Sequence, residues 1–206
     1  GVGRIELPMN DQLPYAGTGF LVGGNLMMTN RHVASLFAQG LGDGTLRFHE
    51  GQTAEIDFER ERDSTTSAPI AVTRVRMIPA NLEGRDIAVI GYPAFDPRTD
   101  AQVQHQVFGG VYDVKRLQPG LLKTRAPKAS YGNMVNTVTH DASTLGGNSG
   151  SCVLDVQTGE VVGLHFAGRY MVANYAVPIF ELSRDARVDA MALEFGEDAT
   201  SNVADP

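Results

Sequence analysis

The chain has 206 residues, 42% of them hydrophobic and 20% charged, with a formal charge of −7 at pH 7. That length suits one large domain or two small lobes with a real core. The acidic balance, with no basic run longer than Lys115-Arg116, argues against nucleic acid as a partner, and no apolar run approaches a membrane span.

Ten prolines and 23 glycines suit many short strands joined by turns. Residues 1–16, with Pro8 and Pro14, read as an arm lying on the fold. Residues 18–22 and 26–29 read as a hairpin turned at Gly23-Gly24-Asn25. His32 follows this second apolar run, and 33–37 reads as a short helical turn. Strands are expected at 45–49, 54–59 and 71–78, with His49 at the surface and 59–63 a solvated turn. Residues 91–98 read as a crossing between lobes. Residues 102–112 and 114–118 read as paired strands, with His105 in the first and Gly109-Gly110 as a bulge. A short strand at 121–125, a polar loop at 126–132 and a segment at 134–140 lead to a glycine-framed serine. Strands at 151–154, 161–166 and 175–178 precede a closing helix from Ile179, and 194–206 reads as a frayed acidic tail.

Cys152 is the only cysteine, so no internal disulfide can form, and it reads as a small buried hydrophobe. No leader peptide opens the sequence, which together with the lack of a disulfide favours the cytoplasm over secretion. No His or Cys pair has zinc spacing, so neither a metal nor another cofactor is expected.

Two stretches carry chemistry. In Gly146-Gly147-Asn148-Ser149-Gly150-Ser151, glycines frame a serine. Glycine takes backbone conformations closed to other residues, so such a loop can expose the serine oxygen and aim neighbouring N–H groups at one point. A nucleophile beside an oxyanion hole needs that arrangement, although a plain tight turn has the same composition. In Thr29-Asn30-Arg31-His32-Val33, a histidine leaves a strand. Serine needs a base at neutral pH, and histidine titrates in the right range.

Together these stretches resemble the chymotrypsin-like serine endopeptidases, above all the bacterial branch that includes the glutamyl endopeptidases. Gly91-Tyr92-Pro93 and Val162-Gly163-Leu164-His165-Phe166-Ala167-Gly168 are similar to that branch too, and the likeness runs from about residue 17 to 182. The order His before Ser excludes the α/β-hydrolase arrangement. The resemblance implies an all-β fold of two antiparallel six-stranded β-barrels with a short C-terminal helix. Its N-terminal lobe would span about 17–90 and its C-terminal lobe about 103–178.

The resemblance also implies roles. Ser149 would be the nucleophile and His32 the base, with the N–H groups of Gly147 and Ser149 binding the oxyanion. Asp86, in Asp86-Ile87-Ala88-Val89-Ile90, fits the pattern around the family's third catalytic residue. Yet Val89-Ile90-Gly91-Tyr92-Pro93 fits a later family strand. Either the sheet is shortened and Asp86 is the acid, or a segment between Met77 and Leu82 is absent and the acid with it. Asn148 stands where many relatives have an aspartate that pairs with a freed terminal amine, a pairing that a neutral amide cannot make. Thr144 and His165 match positions that recognise an acidic side chain, and Arg169 lies near enough to add positive charge. Ser143 stands where trypsin-like enzymes carry an aspartate, so a preference for Lys or Arg is not expected. His140, next to Asp141, reads as a loop hydrogen-bonder. The function implied is a serine endopeptidase working through an acyl-enzyme on protein or peptide substrates, with a preference for an acidic residue before the scissile bond. Two alternatives stand beside it: a catalytically silent binding module on the same fold, or a regulated protease domain of a larger sensor or defence protein.

Overall fold

The computed structural model describes residues 1–13, 15–23, 26–42, 45–61, 83–191 and 193. In the first half, strands β1 (Val2–Glu6), β2 (Tyr15–Gly23) and β3 (Leu26–Met28) precede helix α1 (Arg31–Ala34) and strands β4 (Ala38–Gln39), β5 (Arg47–Phe48) and β6 (Glu55–Asp57). Then come β7 (Asp86–Gly91), α2 (Ala101–Phe108), β8 (Arg116–Ser130), β9 (Asn133–His140), β10 (Cys152–Asp155), β11 (Val161–Arg169) and β12 (Ala173–Pro178). Helices α3 (Ile179–Ser183) and α4 (Ala186–Asp189) close the described chain.

The fold is all-β with short helices. Six strands close a barrel in the order β10-β11-β12-β9-β8-β7. The N-terminal half forms an open sheet, β3-β2-β1-β6, and a separate pair, β4-β5. The described residues therefore contain one six-stranded barrel where the sequence suggests two. The strand expected at 71–78 and the tail at 194–206 lie outside the described residues. Strand β7 pairs with β8 and β10, so it belongs to the C-terminal barrel, and the lobe boundary falls before Asp86 rather than near residue 90.

Side-chain alternation builds the seam on which the site rests. Successive strand residues point to opposite faces. Val153 and Val162 fill the barrel interior with Ile87, Val89, Leu122 and Val138. Their neighbours Cys152 and Val161 face the other way, onto Val2, Phe20, Tyr92 and Ile179. Strands β10 and β11 are thus apolar on both faces, and the outer face glues the barrel to the N-terminal sheet. Cys152 is a fully buried free thiol, as its apolar setting suggests. Phe20, fully buried here, contributes roughly 1.5–3 kcal/mol by leaving water.

Three segments differ from their sequence reading. Residues 1–16 do not form a surface arm, because β1 lies inside the sheet between β2 and β6. Most of 102–112 is helix α2, not strand. Asp100 caps it by accepting from the N–H groups of Gln102 and Val103, and Gly109 ends it at φ 64°. The buried residues Gln104 and Phe108 are four apart, one helical turn. Gly109-Gly110 is thus a helix stop. The polar stretch 126–132 mostly continues β8, which pairs with β9 as far as Ser130↔Asn133. Tyr131 (φ 48°) and Gly132 (φ 77°) form a two-residue turn with both φ values positive, as a hairpin's twist demands.

Candidate active site

His32 sits in the four-residue helix α1, which follows β3 directly. Val33, fully buried, pins this helix to the seam. A Cβ on Gly17 would stand 2.7 Å from the Ser149 carbonyl and 3.0 Å from a Val33 methyl. The structure therefore brings the histidine helix and the serine loop together against one face of Gly17. The His32 ring and the Ser149 hydroxyl do not hydrogen-bond to each other among the described residues. Such bonds are often long without substrate and tighten in the complex.

The serine loop connects β9 to β10 and is built on two glycines. Gly147 has φ +82° and Gly150 has φ +92°, values that side chains rarely adopt. Close packing adds to the requirement: a Cβ on Gly147 would lie 2.3 Å from the Tyr92 carbonyl, and one on Gly150 would lie 1.9 Å from the Thr18 carbonyl. Asn148, fully buried, exchanges hydrogen bonds with Gln118, its Oδ1 accepting at 2.9 Å and its Nδ2 donating at 3.1 Å. Asn148 is thus satisfied by a neutral amide pair rather than by an ion pair. The N–H groups of Asn148, Gly150 and Ser151 donate to Leu145, His165 and Asn148 carbonyls. Those of Gly147 and Ser149 donate to no protein acceptor among the described residues, leaving them available to a substrate oxygen.

Next to Ser149 opens a cavity of about 920 Å³ lined by His140, Thr144, His165 and Arg169 among others. His165 is 3% exposed and its Nδ1 lies 3.1 Å from Nε2 of His140. His140 is not the loop residue the sequence suggests: it ends β9, buried, and meets His165 across the intervening strand β12. The Thr144 hydroxyl donates to Asn174 Oδ1 at 2.8 Å, and Asn174 Nδ2 donates to the Ala142 carbonyl at 2.7 Å. This places Thr144 on the same cavity wall.

Burial sets the protonation of all three histidines. It pulls His32 below its ordinary pKa of 6.5 and His140 down to about 4. His165 falls well below 6.5, first through burial and then through the neighbouring His140 and His32. Near neutral pH the three rings are uncharged. The unfolded chain takes up protons below pH 6.5 that buried His140 and His165 refuse, so their contribution to stability is complete above 6.5 and declines as pH falls towards about 4. Melting temperatures measured from pH 7 to pH 4 are expected to fall steadily, and His140→Asn is expected to flatten the slope.

Asp86 lies away from this centre. It begins β7, exposed, opposite Leu121, while the far end of β7, at Gly91, packs against Ser151 and Asn148. Five residues of strand separate the two ends by about 17 Å. The structure does not bring Asp86 to His32, because β7 is the later family strand that Val89-Ile90-Gly91-Tyr92-Pro93 suggests. Burial pulls the His32 pKa down, and no described carboxylate pushes it back up. The segment between Met77 and Leu82 lies outside the described residues.

The family model of the trypsin-like peptidase domain matches residues 17–164. The chain belongs to that family. A probable serine protease of Lysobacter enzymogenes is 28% identical over 238 aligned positions covering 90% of this chain. The alignment is longer than the 206-residue chain, so that relative carries extra residues inside the matched span. This chain spans 61% of that relative's length. Among solved structures, the active form of the Rv3671c protease of M. tuberculosis superposes with a TM-score of 0.56 at 17% identity, over 94% of this chain and 81% of that one. The MamO protease domain of Magnetospirillum magneticum gives 0.53 at 14% identity, over 94% and 95%. At these identities the structures support the fold, an all-β chymotrypsin-like one.

The trypsin-like family is one of serine endopeptidases, and the stretches around His32 and Ser149 both lie within the matched residues. Sequence reasoning missed His140, Gln118 and Thr18 as parts of the site. Each meets its partner only through barrel closure or lobe packing, and none sits at a recognisable spacing from Ser149.

Proposed function

We propose that the chain is a serine endopeptidase that cleaves after an acidic residue. Ser149 Oγ attacks the peptide carbonyl while neutral His32 takes its proton and then gives it to the leaving amine. The Gly147 and Ser149 N–H groups receive the negative oxygen, each such donor being worth about 3 kcal/mol of barrier. Water, deprotonated by the same ring, then releases the acyl group.

The observation that carries the specificity is the His140–His165 pair beside Ser149. His140 Nδ1 is buried without a partner among the described residues. The pair is best satisfied when His140 donates from Nε2 to His165 Nδ1, leaving an orphaned lone pair rather than an orphaned N–H. His165 then carries its proton on Nε2 and can donate to a substrate carboxylate. The exposed Arg169 adds a charge on the same cavity, and Thr144, its O–H donated to Asn174, would turn that proton to a substrate carboxylate by giving up the Asn174 bond. A buried carboxylate needs such partners, since an unpaired one costs several kcal/mol.

His165→Ala is therefore expected to raise KM for substrates with Glu before the scissile bond far more than for substrates with Ala or Leu there. Profiling both proteins on a peptide library varying that residue is the check. An unchanged Glu preference would reduce His165 to a core residue. A second reading, a catalytically silent binding module, is favoured by one observation: burial lowers the His32 pKa and no described carboxylate raises it. Labelling by an active-site serine reagent separates the two readings.

A further inference from the structure

We infer that Thr18 is a positioning residue that holds the oxyanion hole together from the other lobe, an inference that rests on the endopeptidase reading. Thr18 belongs to β2 of the N-terminal sheet and is fully buried. Its backbone N–H donates to the Ser149 carbonyl at 2.8 Å, and its hydroxyl donates to the Gly147 carbonyl at 2.9 Å. The Gly147 carbonyl lies between the Gly147 and Ser149 N–H groups along the chain, and the Ser149 carbonyl follows them. The hydroxyl also accepts from the Tyr92 N–H at 3.2 Å, and the Thr18 carbonyl accepts from the Thr29 hydroxyl at 2.7 Å. Thr29 stands three residues before His32.

One residue thus ties the serine loop, the strand end at Tyr92 and the approach to the histidine helix. The hydroxyl contact is the part a side chain supplies. Gly147 has no side chain and sits at φ +82°, so nothing of its own fixes its peptide plane. An oxyanion hole accelerates reaction only if its donors are aimed before charge develops. The Thr18 hydroxyl fixes the Gly147–Asn148 peptide, the one between the two peptides that carry the donor N–H groups, while Gln118 fixes the Asn148 side chain from the barrel side. Lobe docking and oxyanion-hole assembly are therefore one event.

Thr18→Val keeps the shape and removes the hydroxyl, and Thr18→Ser keeps the hydroxyl. In the full chain, Thr18→Val is expected to lower kcat about 10–100-fold with KM little changed, less than the loss of a whole donor. Thr18→Ser is expected to restore most of it. Thermal melting checks that both variants fold. Amide hydrogen exchange reads the same contact without turnover: exchange across residues 146–150 is expected to quicken in Thr18→Val and not in Thr18→Ser, with strands β8 and β9 unaffected. An unchanged kcat and exchange in Thr18→Val, a rise in KM alone, or a Thr18→Ser variant as impaired as Thr18→Val would overturn the role. A wild-type chain without turnover is instead the failure of the endopeptidase reading, and the exchange comparison still decides whether Thr18 holds the loop.

Discussion

Ser149→Ala is expected to abolish peptide hydrolysis, lowering kcat by about 10⁶-fold, while leaving the melting temperature near that of the wild type. The hydroxyl forms the bond to the substrate carbon, and no other group replaces it. Its loss should cost the fold little. The Ser149 backbone carbonyl holds the loop by accepting from Thr18, and the Gly147 and Gly150 conformations do not depend on the side chain. Steady-state turnover and thermal melting, measured together, check both halves. Retained turnover would take Ser149 out of the reaction.

His32→Ala is expected to cost a loss of similar order, because the other two histidines of the cavity, His140 and His165, are buried against each other and do not bond the serine. In the wild type, the acid limb of kcat/KM reports the His32 ring. The ring acts only when neutral, so activity falls as pH drops through its folded pKa. Burial lowers that pKa, and the limb is expected below pH 6.5. A carboxylate facing the ring would stabilise its charged form and move the limb upward. A pH–rate profile with its acid limb above 6.5 would show that a carboxylate does face His32 in the working protein. Asp86→Asn should not shift the profile, since Asp86 stands exposed at the far end of β7.

The site was legible where chemistry and backbone geometry impose the same residues. Gly147 and Gly150 must be glycine on two counts, positive φ and close approach, so the loop around Ser149 stands out in the sequence. The strand-to-helix turn bearing His32 is local and equally visible. His140 is not local. Its role depends on β12 seating between β9 and β11, and a histidine at the end of a strand looks the same whether it faces solvent or another ring. Gln118 and Thr18 are alike in this, since each meets its partner across a strand or a lobe boundary.

The errors in the fold have physical reasons too. Residues 101–108 alternate polar and apolar well enough for a strand, and the Asp100 cap and the left-handed Gly109 decide for a helix. Strand β1 was hidden by its length of five residues and by Pro8 soon after it. The double identity of residues 86–93 resolves through pairing. Contact with β8 and β10 makes them the first strand of the closed barrel, which leaves the family's acid without a described counterpart.

The central claim is that Ser149 is a nucleophile activated by His32. The most direct test is to treat the folded chain with a phosphonate ester bearing a glutamate-like side chain and locate the adduct by peptide mass spectrometry. The account predicts one adduct, on Ser149, formed by the wild type and lost in His32→Ala. A folded wild-type chain that forms no adduct, or one labelled equally fast without His32, would contradict it.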